Sequence, residues 1–91
     1  MKLKDIVRVI SDMRYHVDVY SKDYMQYAQF DVDYSKNSKE FSDAAQKESL
    51  FLDAEVVHVN YSNAYKAICV SCQMDGNLPV FDSRLINVQK L

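Results

Sequence analysis

Residues 50–72 read LFLDAEVVHVNYSNAYKAICVSC, and this stretch decides the fold. Leu50-Phe51-Leu52 leads into two runs, 55–62 and 65–72, in which β-branched and aromatic residues alternate with polar ones. A period of two marks half-buried strands, and two such runs around a short polar link make an antiparallel hairpin. With Asn63-Ala64 as the turn, Val57 faces Val70 and Val59 faces Ile68. On the other face His58 then meets Cys69, and Asn60 meets Ala67. Asn63 tolerates a positive φ but Ala64 does so poorly, which leaves a longer loop as the alternative.

The same logic extends towards the N-terminus. Leu3, Ile6, Val7, Ile10 and Met13 recur at helical spacing, and Val9 widens the stripe, so residues 3–13 read as an amphipathic helix. Tyr15, Val17 and Val19 then alternate with His16, Asp18 and Tyr20, which is the pattern of a strand. Residues 21–24 make a turn, and a second alternation follows, Ala28, Phe30, Val32 and Tyr34 against Gln29, Asp31 and Asp33. These two strands form a first hairpin. Asn37-Ser38-Lys39-Glu40 has the form of a capping box, and Phe41, Ala44 and Ala45 give a weak stripe behind it. A short helix over about 38–48 is expected, with a crossover loop as the competing reading. After the second hairpin, Asp75-Gly76-Asn77 reads as a turn and Val80-Phe81 as a short edge segment. Leu85, Ile86, Val88 and Leu91 make 83–91 a final helical turn or docking tail.

The fold expected is therefore α+β in a single domain, 1–91. An N-terminal helix packs on a small antiparallel sheet of two hairpins, with a short connecting helix. The helix-covered face should carry Val17, Val19, Phe30, Val32, Val57, Val59, Ile68 and Val70. A core this small is thin, and a homodimer would enlarge it.

Charge excludes little but ranks the possibilities. Eleven basic and thirteen acidic residues leave a net charge of −2, without the basic face that phosphate-driven binding needs. Direct nucleic-acid binding is disfavoured, though a small dimeric nucleic-acid-binding regulator stays as an alternative. No run approaches a membrane span and the N-terminus lacks a signal-peptide pattern, so the expected location is the cytoplasm with both cysteines reduced.

Candidate chemistry is sparse. Cys69-Val-Ser-Cys72 has redox spacing, but on a strand a separation of three places the side chains on opposite faces. A zinc or thiol site using Cys69, Cys72 and His16 or His58 is a further alternative, yet four converging ligands are not in view. His58 opposite Cys69 could pair a nucleophile with a base, but nothing orients them. No catalytic set, metal or cofactor is expected.

Seven tyrosines stand against no tryptophan, one glycine and one proline. Tyrosine combines a rigid ring with a polar tip, which suits a partner-binding surface. Tyr20, Tyr24 and Tyr27 cluster at the first hairpin tip, beside the acidic pair Asp31 and Asp33. These five are the candidate partner-binding residues. A solvated acidic face that discourages edge aggregation is the plainer explanation for the aspartates.

The opening 3–13 helix, the 15–20 strand and the Leu52-Asp53-Ala54-Glu55-Val56-Val57 entry into a terminal hairpin resemble small proteins of bacteriophages and other mobile elements. Within that population the chain is similar to anti-CRISPR proteins in size, acidity and lack of enzyme signatures. The resemblance is architectural and implies a non-enzymatic inhibitor or adaptor that binds a host protein, such as a Cas nuclease, in the host cytoplasm. It carries over no functional residue.

Overall fold

The computed structural model describes residues 1–10, 12–23, 25–33 and 37–74. Tyr24, Tyr34 and the whole stretch from Asp75 onward lie outside the described residues, with the turn, edge segment and docking tail expected there. The elements run α1 (Leu3–Ile10), β1 (Tyr15–Tyr20), β2 (Gln26–Val32), α2 (Ser38–Ser49), β3 (Glu55–Ser62) and β4 (Ala67–Gln73).

The fold is the expected small α+β arrangement. One sheet in the order β2-β1-β4-β3 holds both antiparallel hairpins. They join through β1 and β4, which pair parallel, so the sheet is mixed. In that central pairing Tyr15 lies beside Ile68, Val17 beside Val70 and Val19 beside Cys72. Alternation buries Tyr15, Val17 and Val19, with Ala28, Phe30 and Val32 from β2 on the same side.

Phe51 closes this core, fully buried between the α2 end and β3. Its ring lies 6.0 Å edge-on from Tyr27 and 6.4 Å stacked from Phe30. Leu3 and Ile10 enter the same cluster from α1, with Ile6 and Val7 half-buried beside them. The helix stops at Ile10, short of Met13, and Val9 is 75% exposed. At 100° per residue Val9 falls well off the Leu3–Ile10 stripe, and Met13 only closes a turn by donating its N–H to the Ile10 carbonyl. The helix is anchored at its start, where Leu3 N–H meets the Ala54 carbonyl at 2.8 Å and Lys4 N–H meets that of Leu52 at 3.0 Å.

α2 begins as its sequence asks. The Asn37 side chain accepts the Glu40 N–H at 2.9 Å, which satisfies one of the open donors of the first turn. Its last turns lie over β2: the buried Lys47 donates to the Gln29 carbonyl at 3.2 Å, and the Tyr15 hydroxyl bonds the Glu48 carboxylate.

Two expectations about the second hairpin are corrected. The turn is four residues long, 63–66, with Lys66 at φ 53, so Val59 faces Val70 and Tyr61 faces Ile68. The slip is two positions, which preserves the faces, but His58 now faces Ser71 and Asn60 faces Cys69. The covered face also ends early. Val57 and Val59 are 49% and 42% exposed instead of buried.

Candidate functional site

Both helices serve the inner face of the sheet, so the outward residues of the central strands form an open polar surface. On β1 these are His16, Asp18 and Tyr20, each half-buried. The hairpin register sets His16 directly beside Asp31 and Asp18 beside Gln29, because antiparallel partners share a face. The parallel register sets His16 beside Cys69 and Asp18 beside Ser71.

The polar groups are locked together. His16 Nδ1 lies 2.8 Å from Asp31 Oδ1, and His16 Nε2 lies 3.1 Å from Asp18 Oδ1. Gln26 Nε2 donates to the same Asp18 oxygen at 2.9 Å. Tyr65, from the 63–66 turn, stacks on the His16 ring at 6.1 Å between centroids. The Tyr65 carbonyl accepts from Arg14 Nη1 at 3.0 Å, and Arg14 Nε pairs with Asp33 at 3.5 Å. A continuous set of contacts thus crosses β2, β1 and the β3–β4 turn.

Electrostatics fix the protonation state of its centre. The hydrogen bond to Asp18, reinforced by Asp31, holds the His16 imidazole up at about 9 against the lowering effect of burial. At neutral pH it is an imidazolium that donates from both nitrogens. Neither nitrogen has a lone pair to offer a metal or a substrate proton. Two carboxylates around one imidazolium leave the cluster one negative charge.

No family model, curated protein or solved structure matches the chain.

The structure distributes the sequence-derived candidates unevenly. Asp31 is in the cluster, and Tyr20 sits on the same face at the far end of β1, where its carbonyl accepts the Met74 N–H. Asp33 is largely covered beside Arg14. Tyr27 is the extra residue of a β-bulge, since Val19 pairs with Ala28 and Tyr20 with Gln26. The bulge turns its ring inward onto Phe51, so it is a core-edge side chain and not an exposed tip. Tyr24 lies outside the described residues. Arg14, His16, Asp18 and Tyr65 join the cluster from outside the five residues expected to bind a partner. His16 and Asp18 show in the β1 alternation, but only the strand register brings Asp31 alongside, and Tyr65 needs the true length of the turn.

The cysteines fall on opposite faces, Cys72 in the core and Cys69 outside. Burial pushes the Cys72 thiol up to about 12, and burial followed by the charges of Asp18 and Asp31 raises that of Cys69. Both thiols are thereby held away from the nucleophilic thiolate. Among the described residues, no three His, Cys, Asp or Glu side chains form a candidate metal site. The pairing of His58 with Cys69 does not form, because His58 faces Ser71.

Proposed function

We propose that this chain is a non-enzymatic protein-binding module, an inhibitor or adaptor, that presents the outer face of its sheet to a partner. The observation that carries this reading is the ordered Asp18–His16–Asp31 cluster on the sheet face opposite the core, away from both described helices. Its carboxylates are fixed before binding, so little ordering entropy is lost when a partner arrives. Its net negative charge suits a lysine or arginine of the partner, and Tyr20 and Tyr65 supply aromatic area at its margins. A binding role is favoured over catalysis because the histidine is held doubly bonded and protonated, the wrong state for a general base.

The resemblance to anti-CRISPR proteins suggests the partner class: a nuclease of a host defence system, such as a Cas effector. The nucleic-acid channel of such an enzyme is basic, and an acidic plate would compete there with the phosphate backbone. The test is affinity capture from host lysate treated with nuclease, using wild type and a Tyr20→Ala, Asp31→Asn double variant. Tyr27 is left intact because its ring supports Phe51. One captured protein, lost with the double variant and weakened by salt, supports the proposal. Capture that vanishes on nuclease treatment would replace it with a nucleic-acid-binding regulator, and undiminished capture by the double variant would remove this face.

A further inference from the structure

The two edges of the sheet are treated differently. On the β2 edge, Lys47 caps the Gln29 carbonyl and the bulge at Tyr27 interrupts the ladder. The β3 edge has a bulge of its own at Val57, where the register shifts between Val56 and His58, but beyond it the regular stretch His58-Val59-Asn60-Tyr61-Ser62 contains no Asp, Glu, Lys, Arg or Pro. Edge strands of monomers commonly carry such residues, because an open row of N–H and C=O groups invites another strand.

The direction of those groups can be read from β4. Ile68 N–H donates to the Arg14 carbonyl at 3.3 Å and Met74 N–H to the Tyr20 carbonyl at 2.9 Å, so alternate residues of β4 are turned to β1. Their β3 partners, Tyr61 facing Ile68 and Val59 facing Val70, therefore stand in non-hydrogen-bonded pairs. The backbone N–H and C=O of Val59 and Tyr61 point to the open side. The bulge at Val57 brings Val56 into the same phase: it faces Cys72, and its outward N–H is taken by the Met1 carbonyl at 2.8 Å. Beyond Met1 and Lys2, no described element pairs with β3 on that side. The side chains of the same stretch are open too, with Tyr61 57% exposed beside Val57 and Val59.

We propose that two copies of this chain pair antiparallel through the open edge of β3, with Val59 opposite the partner's Tyr61 and Tyr61 opposite the partner's Val59. This register sets the outward residues of one copy against those of the other. Each of the two pairs exchanges both of its backbone hydrogen bonds. It also places a β-branched side chain against an aromatic ring twice on the apolar face, a favourable cross-strand pair. Asn60 meets the partner's Asn60 on the two-fold axis, where the amides can bond each other. The ladder spans about 58–62 and stops short of Val56, whose outward position Met1 already fills. The N-terminal segment selects the antiparallel sense: Met1 and Lys2 sit on this edge beside Glu55, so antiparallel pairing keeps the two copies of that segment at opposite ends, whereas a parallel in-register pair would bring them together. The contact is isologous and closes at two copies. Its axis is perpendicular to the sheet, so both outer polar faces look the same way. The ladder is short for a stable interface, so the pair should dissociate on dilution.

Sedimentation equilibrium of the full chain over a range of concentrations tests this. The expected result is a mass rising from 10.6 kDa towards twice that value. Asn60→Asp sets two carboxylates against each other at the axis and should weaken association at least tenfold, with an unchanged circular dichroism spectrum because Asn60 is exposed. Asn60→Cys, made in a Cys69→Ser background to remove the cysteine that Asn60 faces, should form an intermolecular disulfide on mild oxidation, since non-hydrogen-bonded partners have Cα atoms about 4.5 Å apart. A monomer at every concentration overturns the proposal. So does a dimer indifferent to Asn60→Asp, or Asn60→Cys that fails to cross-link. Slow, concentration-independent exchange of the Val59 and Tyr61 amides would show another part of the same chain on this edge and overturn it equally. None of these readouts involves the outer-face partner.

Discussion

Raising the pH should destabilise this domain through one side chain. His16 titrates at about 9 in the folded chain against 6.5 for the free side chain, chiefly because it donates to Asp18 and then to Asp31. The native state therefore binds the proton more tightly than the unfolded state. That stabilisation is fully present below pH 6.5 and is lost as the pH rises through 9. The difference between 6.5 and about 9 sets a ceiling of about 3 kcal/mol. Asp31 is 54% exposed, so solvent screens part of the interaction and about 2 kcal/mol is the working figure. For a domain of this size each kcal/mol moves the melting temperature by about 4–8 °C. Between pH 6 and 9.5 the wild type should therefore lose roughly 10 °C more than a His16→Gln variant, whose side chain has no proton to lose. Thermal melts followed by circular dichroism give the comparison, and the imidazole proton resonances give the midpoint directly. Melting curves of wild type and variant that fall in parallel, or a His16 midpoint near 6.5, would refute the doubly bonded imidazolium and the charge assigned to the plate.

Phe51→Ala empties the position that joins Tyr27 and Phe30 and should cost about 3–5 kcal/mol, most of the stability of a domain at the low end of the usual range, read as a large fall in the urea midpoint. Tyr15→Phe removes the hydroxyl that bonds Glu48, a carboxyl whose pKa burial raises and this bond lowers. Stability at pH 7 should fall by about 1–3 kcal/mol in urea unfolding, and a loss below a few tenths would show that Glu48 relaxes into water. Asn37→Ala should cost about 1 kcal/mol by removing the α2 cap, with Asn37→Ser restoring most of it. Thiol titration at pH 8 should find Cys72 unreactive until denaturant is added, and rapid labelling of both cysteines in the native protein would contradict the burial of Cys72.

What could be read from the sequence follows from the range of each signal. β1 and β2 are half-buried strands, so Tyr15, Val17 and Val19 announce their face by local alternation, and the structure buries these residues. The cap of α2 is equally local, with Asn37 three residues before Glu40. The parallel pairing of β1 with β4 is not local, since nothing near Val17 encodes Val70 as its neighbour. Turn length sits between these cases. Asn63 invites a two-residue turn, yet Lys66 takes the positive φ and the hairpin lengthens by two. The outer-face cluster combines all three ranges. His16 and Asp18 are visible in one strand, Asp31 arrives through the register, and Tyr65 only through the lengthened turn. Tyr27 shows the converse, because a bulge redirects its ring in a way that strict alternation cannot express.

The exposure of Val57, Val59 and Tyr61 has a geometric cause that alternation alone could not reveal. Apolar residues on one face of a strand are buried only if something lies on that face. α2 has its contacts on β2, where Lys47 reaches Gln29. Of the described helices, α1 starts at the β3 end, where Leu3 and Lys4 bond Ala54 and Leu52, and it has 8 residues, about 12 Å of helix at 1.5 Å per residue. β3 has 8 residues as well, but at about 3.3 Å per residue they extend about 26 Å. A helix of that length shields less than half of the strand, and α1 is tethered at the Ala54 end through Leu3. Val56 accordingly packs against the core, while the residues beyond it do not. Lengthening α1 to 13 by restoring helix formers at Asp12 would not cure this unless the added turn also ran along β3. Among the described residues, the uncovered length of β3 therefore follows from the helix lengths, and it coincides with the uncharged stretch that pairs with no second described strand. The exposed face thus reflects short helical cover among the described elements, and the open edge reflects the end position of β3 in the strand order.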